Sequence, residues 1–121
     1  MTALWPGLLW MPAEAVAAHV DLAEAPTTKV ARAAIDLDGD RLAMVSAIAA
    51  AVDVPHWFRP NWDALNDALN DLSWLGAGPL VLVLTIAGTG DDDADILVEV
   101  LARATRRWST TARPLTVILA R

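Results

Sequence analysis

The chain has 121 residues, enough for one domain with its own hydrophobic core and too few to make two a natural reading. Hydrophobic residues make up 55% of it and charged residues 20%, which excludes a disordered chain and predicts a well-buried fold. The net charge of -6 argues against nucleic acid or an anionic membrane as the direct partner and for a basic one.

Residues 1–28 read as an N-terminal extension. In it Leu8-Leu9-Trp10 fits a short strand, Ala13 to Val20 a helical turn or two, and Pro26-Thr27-Thr28 a linker into a domain spanning 29–121. From Val30 to Leu37 the side chains alternate as in a strand, with Ala31, Ala33, Ile35 and Leu37 on one face and Arg32 and Asp36 on the other. After the Asp38-Gly39 turn, Asp40 is placed to cap a helix with the apolar stripe Leu42, Val45, Ile48, Ala49 and Val52, ending before Pro55.

A loop from Asp53 to Pro60 carries Trp57 and Phe58, and Asn61 is a good N-cap for a second helix running to about Trp74, stopped by Gly76, Gly78 and Pro79. Leu80 to Ile86 is a continuous apolar run, the pattern of a central strand buried on both faces. Asp91 to Asp93 open a helix with the stripe Ile96, Leu97, Val100, Leu101 and Ala104, and Arg106 and Arg107 sit at its end, both favourable to the helix dipole. Leu115 to Leu119 is the last strand. This order predicts an α/β fold with a small three-stranded parallel sheet packed with three to four helices.

The charge is uneven. Between Asp36 and Asp95 there are eleven acids and two bases, Arg41 and Arg59, whereas from Arg103 to Arg121 every charge is basic. On a helical wheel of roughly 100° per residue, Asn61 to Trp74 divides into two arcs. Trp62, Leu65, Ala68, Leu69 and Leu72 point one way, and Asp63, Asn66, Asp67, Asn70, Asp71 and Trp74 the other, with no base on the helix. Aspartates at i, i+4 and i+8 repel one another, so the pattern suggests that something outside the helix uses the charge. An ordinary solvated face would carry acids as well. The flanking Trp57, Phe58 and Trp74 shift the reading toward an interface, where aromatic anchors beside charges are common.

The stretch Val54-Pro55-His56-Trp57-Phe58-Arg59-Pro60-Asn61-Trp62-Asp63-Ala64-Leu65-Asn66-Asp67-Ala68-Leu69 resembles the loop and second helix of the barstar family of ribonuclease inhibitors, and the likeness in element order extends from about Val30 to the C-terminus. The resemblance implies a three-stranded parallel sheet with helices and an intracellular inhibitor, not an enzyme. It implies that the second helix and its loop plug the active site of a basic, guanyl-specific ribonuclease, one to one. By the same resemblance Asp67 occupies the substrate phosphate site and Asp63 meets neighbouring arginines. Trp57 covers a catalytic histidine, and Asn61 and Asn70 are polar contacts. The partner-binding set is then Trp57, Phe58, Arg59, Asn61, Asp63, Asn66, Asp67, Asn70, Asp71 and Trp74. Three features depart from the family pattern: Arg59-Pro60 replaces a pair that often begins with glycine, Asn66 replaces a tryptophan, and Arg103, or another non-acidic residue of the last helix, stands where the family adds a glutamate.

A carboxylate fits such a site on physical grounds, since Arg, Lys and His that hold phosphate also form charge-assisted hydrogen bonds with it. An alternative is a barstar-fold interaction or immunity module that binds a different basic toxin or protein. A hydrolase using Asp63 and Asp67 as paired carboxylates lacks an enclosing site. Asp36-x-Asp38-x-Asp40 and Asp91-x-Asp93-x-Asp95 begin like calcium loops, but Arg41 and Ile96 fall where glycine is needed and Ala47 and Ala102 where glutamate is needed. With no cysteine and only His19 and His56, no metal or other cofactor is expected, and a reducing cytoplasm is the natural home. The first residues lack a base and are interrupted by Pro6 and Pro12, a poor signal peptide, and no apolar stretch reaches the ~20 residues of a membrane helix.

Overall fold

Side-chain capping and apolar alternation place most elements where the sequence puts them. The computed structural model describes residues 2–5, 7–23, 28–75, 78–90, 92–109, 111 and 114–121. Its strands are β1 (Thr2–Trp5), β2 (Leu8–Met11), β3 (Lys29–Asp36), β4 (Leu80–Ala87) and β5 (Leu115–Ala120). Its α-helices are α1 (Val16–Ala23), α2 (Arg41–Ala51), α3 (Trp62–Asp71) and α4 (Asp92–Trp108), with 3-10 turns at Ala13–Ala15 and Ser73–Leu75. Pro26, Thr27, Gly76 and Asp91, which the sequence marks as linker, helix stop and helix start, lie outside the described residues.

The sheet has the order β1-β2-β5-β4-β3. β2, β5, β4 and β3 run parallel, and β1 pairs antiparallel with β2. Among the described residues, the expected three strands are therefore β3, β4 and β5 of a five-stranded sheet, and four α-helices pack on it. β4 is interior but not central, because β2 docks on the far side of β5 in the register Leu8↔Val117 to Met11↔Ala120. Two four-residue strands are too short for a period to be read, and nothing local in Leu8 to Met11 points to residues more than a hundred positions away. Gly7 makes the β1–β2 turn at φ 83°, where a Cβ would stand 2.8 Å from the Leu115 carbonyl oxygen, so both the backbone conformation and the close approach to β5 call for glycine.

Burial explains the layers. Leu80, Leu82 and Leu84 of β4, with Leu115, Val117 and Leu119 of β5, pack under α2, α3 and α4. The alternate residues Val81, Val83, Ile118 and Ala120 point to the opposite face, where Val16 and Val20 of α1 and Met11 of β2 cover them. The apolar run in β4 is thus buried on both sides as far as Leu84, and Thr85 and Ala87, farther along the same face as Val81 and Val83, are exposed.

In α2, Asp40 accepts a hydrogen bond from the Ala43 amide at 2.8 Å, and Val45, Ile48, Ala49 and Val52 are buried. Leu42 departs from the expected stripe and is 52% exposed. It lies on one flank of the buried arc in the first turn, and Met44 on the other flank is buried instead. Ile96 of α4 is likewise exposed, while Leu97, Val100, Leu101 and Ala104 enter the core. Among the described residues no helix is long and apolar enough to cross a membrane.

Removing residues 1–28 uncovers Val81, Val83 and Ile118 and strips β5 of one neighbour. At about 1.5–3 kcal/mol for each large apolar side chain, the loss approaches the roughly 5–15 kcal/mol that holds a domain folded. The chain 29–121 is expected to be insoluble or to melt at least about 15 °C below the full chain in a calorimetric scan. Melting within a few degrees would show that α1 and β2 add little.

Candidate partner-binding face

The loop between α2 and α3 is shaped by its own backbone. Asp53 turns at φ 54°, the Phe58 amide donates to the Pro55 carbonyl at 3.0 Å, and the Asn61 amide to the Arg59 carbonyl at 2.9 Å. Asn61 arrives in extended conformation, and its Oδ1 accepts from the Ala64 amide at 2.8 Å. Its side chain is therefore engaged as the helix cap that its place before Trp62 predicts.

Along α3 the two arcs separate as the wheel requires. Leu65, Ala68 and Leu69, with Leu72 after the helix, are buried against the sheet, and Asp63, Asp67 and Asp71 are exposed in a row one turn apart. Among the described residues none of the three carboxylates is in an ion pair. Asn66 and Asn70 are half-buried beside them, with Asn70 Nδ2 donating to the Asn66 carbonyl at 2.7 Å. Trp62, assigned to the apolar arc, is half-buried, and its Nε1 donates to Asp93 at 3.3 Å.

The helix ends three residues before Trp74. Leu72 adopts φ 50°, which breaks the helix and drops its side chain fully into the core. Trp74 consequently leaves the polar arc and sits in the 3-10 turn, half-buried, with Nε1 donating to the Val52 carbonyl at 2.8 Å. From there it supports Trp57, whose ring meets it edge-on at 6.1 Å between centroids while remaining 50% exposed. Of the aromatics expected on this face, Trp57 is the exposed one. Phe58 is half-buried against the main core, and Arg59 and His56 are exposed beside it.

Residues of α4 that the sequence did not single out for this face hold α3 in place. The last carbonyls of a helix lack intrahelical donors. Here Trp108 Nε1 donates to the Leu69 carbonyl at 2.7 Å and Arg107 Nε to the Asn70 carbonyl at 3.0 Å, which also puts a cation at the negative end of the α3 dipole. Farther along, α3 and α4 border a shallow groove that brings Asp63 and Asn66 together with Glu99 and Arg103. The only sequence signal for this clamp was the basic end of α4, read as serving its own dipole.

Chemically, the arrangement is a row of carboxylates on an open helical face, suited to accepting hydrogen bonds from arginine and lysine and not to enclosing a substrate. Among the described residues no three His, Asp or Glu side chains converge as metal ligands would. The first acidic triplet is tied to the backbone: Asp36 accepts from the Asp38 amide at 2.9 Å, Asp38 from the Thr89 and Gly90 amides at 3.3 Å, and Asp40 caps α2.

The chain matches neither a curated protein nor a solved structure. Residues 28–120 match the family model described as Barstar (barnase inhibitor), which takes in β3 to β5, the loop before α3 and the whole carboxylate row. The chain belongs to the barstar family.

Proposed function

We propose that this protein is an intracellular inhibitor of a basic, guanyl-specific ribonuclease, binding one to one and blocking the active site with the exposed face of α3. The observation that carries the reading is the row Asp63, Asp67 and Asp71, exposed and without ion pairs among the described residues, on a helix fixed at both ends in a member of the barstar family. A ribonuclease cleft lined with cations for phosphate accepts a carboxylate in its place, and Asp67, flanked by the other two, is the group most completely desolvated when the face is covered. Trp57 supplies the aromatic anchor at the edge of the row, and Asn66 and Asn70 the polar contacts beside it. Arg103 beside Asp63 and the Arg59-Pro60 loop favour a partner other than barnase itself, including a different basic toxin.

Breaking a desolvated charge pair by removing one member costs about 3–5 kcal/mol, so Asp67→Ala is expected to weaken inhibition of the ribonuclease by about 100-fold or more. The same change relieves repulsion with Asp63 and Asp71 by a few tenths of a kcal/mol per pair, and the melting temperature of the free protein should stay level or rise slightly. Titration against the ribonuclease and thermal unfolding of one variant check both. Binding weakened less than about tenfold, or a large drop in melting temperature, would make Asp67 a structural residue.

Capture by opposite charge acts mainly on the association rate and is screened by salt. The association rate should therefore fall steeply between low and physiological ionic strength in stopped flow, with dissociation changing far less. An association rate indifferent to salt would remove the acidic row from the encounter.

A further inference from the structure

We propose, resting on the reading of α3 as the plug, that the partner carries carboxylates on the rim of its basic cleft, and that Arg103 and Arg106 of α4 recognise them. After Glu99 the chain has no acid to its end, and Arg103, Arg106 and Arg107 follow in the next two turns of α4. Arg107 is engaged with the Asn70 carbonyl. Arg103 shares the groove with Asp63 and Asn66, so a surface seated on α3 reaches it. Arg106 continues the ridge on the outer side, bordering a second groove with Asp95, Glu99 and Arg103.

Across the width of one groove the acids of α3, which have no base on their own helix, thus face Arg103 beside Glu99 on α4, with Arg106 on the flank beyond. An interface of ordinary size takes in about 800 Å² on each partner, which covers the α3 row and the adjoining ridge together. Glu99 pairs with Arg103 at 2.6 Å, but both side chains are more than half exposed, and such a surface pair contributes only about 0–1 kcal/mol. Arg103 is thus free to exchange Glu99 for a carboxylate of the partner. A partner with a uniformly basic rim would bring its cations against Arg103 and Arg106, and like charges brought together in an interface cost several kcal/mol. The ridge consequently selects among basic ribonucleases, admitting those with acidic groups beside the cleft and rejecting the rest.

The test compares wild type with Arg103→Glu, Arg103→Gln, Arg106→Glu and Asp67→Ala, titrated as inhibitors against a panel of basic guanyl-specific ribonucleases that includes barnase. Against the ribonuclease that wild type inhibits best, Arg103→Glu should weaken binding by about tenfold or more and Arg103→Gln by a smaller factor. Arg106→Glu should act in the same direction. The glutamine variant adds no repulsion with Glu99, and melting curves verify that each variant is folded. Binding unchanged or tightened by Arg103→Glu and Arg103→Gln, with Asp67→Ala still crippling, would overturn the acidic rim and leave the plug standing. Loss on reversing Arg103 with no loss from Asp67→Ala would support the ridge and overturn the plug. Inhibition of no member of the panel by wild type would overturn both.

Discussion

Two adjacent strands buried on both faces over most of their length are the constraint on which the rest of the molecule depends. β4 is apolar and buried on both faces from Leu80 to Leu84, and in β5 Ile118 and Ala120 are buried on the face opposite Leu115, Val117 and Leu119, so over that stretch the sheet cannot be left bare on either side. One face takes three helices and the other takes α1. The three-helix side is where α3 is presented, and α3 is held there by Leu65, Leu69 and Leu72 sinking into the layer built on Leu80, Leu82 and Leu84. The segment outside the barstar match contributes the second cover. The matched residues 28–120 contain Val81, Val83 and Ile118, and Val16 and Val20, which lie over them, precede the match.

For the plug proposed for α3, rigidity matters as much as charge. Each side chain or loop ordered during binding reduces the affinity that contacts supply. Here the ordering is done in the free protein. Asn61 closes the first turn of α3, Trp108 and Arg107 take the Leu69 and Asn70 carbonyls in its last turn, and Trp74 fixes the loop through the Val52 carbonyl. Trp57 then lies on a prepared support with half its surface exposed.

What could be read in the sequence was what depends on local period and local capping. The strand at Val30 and the run at Leu80 announce themselves by alternation and by unbroken hydrophobicity, and Asp40 and Asn61 by the amides three residues on. What could not be read depends on distant partners or on conformation at one residue. β2 carries too few residues to specify that it pairs with Val117 to Ala120. Leu72 satisfies the helical period, so nothing in it reveals that the helix stops there in a left-handed turn, and the helix expected to reach about Trp74 ends at Asp71 instead. The acidic row survives this change because Asp63, Asp67 and Asp71 all precede the break, whereas Trp74 on that side becomes a half-buried support.

Magnitudes explain why the acidic row is free to be set by something other than stability. Each i, i+4 pair of aspartates destabilises α3 by only a few tenths of a kcal/mol. Burying a leucine contributes about 1.5–3 kcal/mol, and Leu65, Leu69 and Leu72 are all fully buried. Packing on the inner arc therefore outweighs repulsion on the outer arc by roughly an order of magnitude, and the outer arc can carry any charge without unfolding the helix. The arginine at the end of the row bears this out: Arg107 gives its Nε–H to the Asn70 carbonyl, one residue from Asp71, and among the described residues forms no ion pair with that carboxylate. The clamp thus holds the helix by its backbone while leaving the charge on its face unneutralised, which is the combination that a plug for a cationic cleft requires.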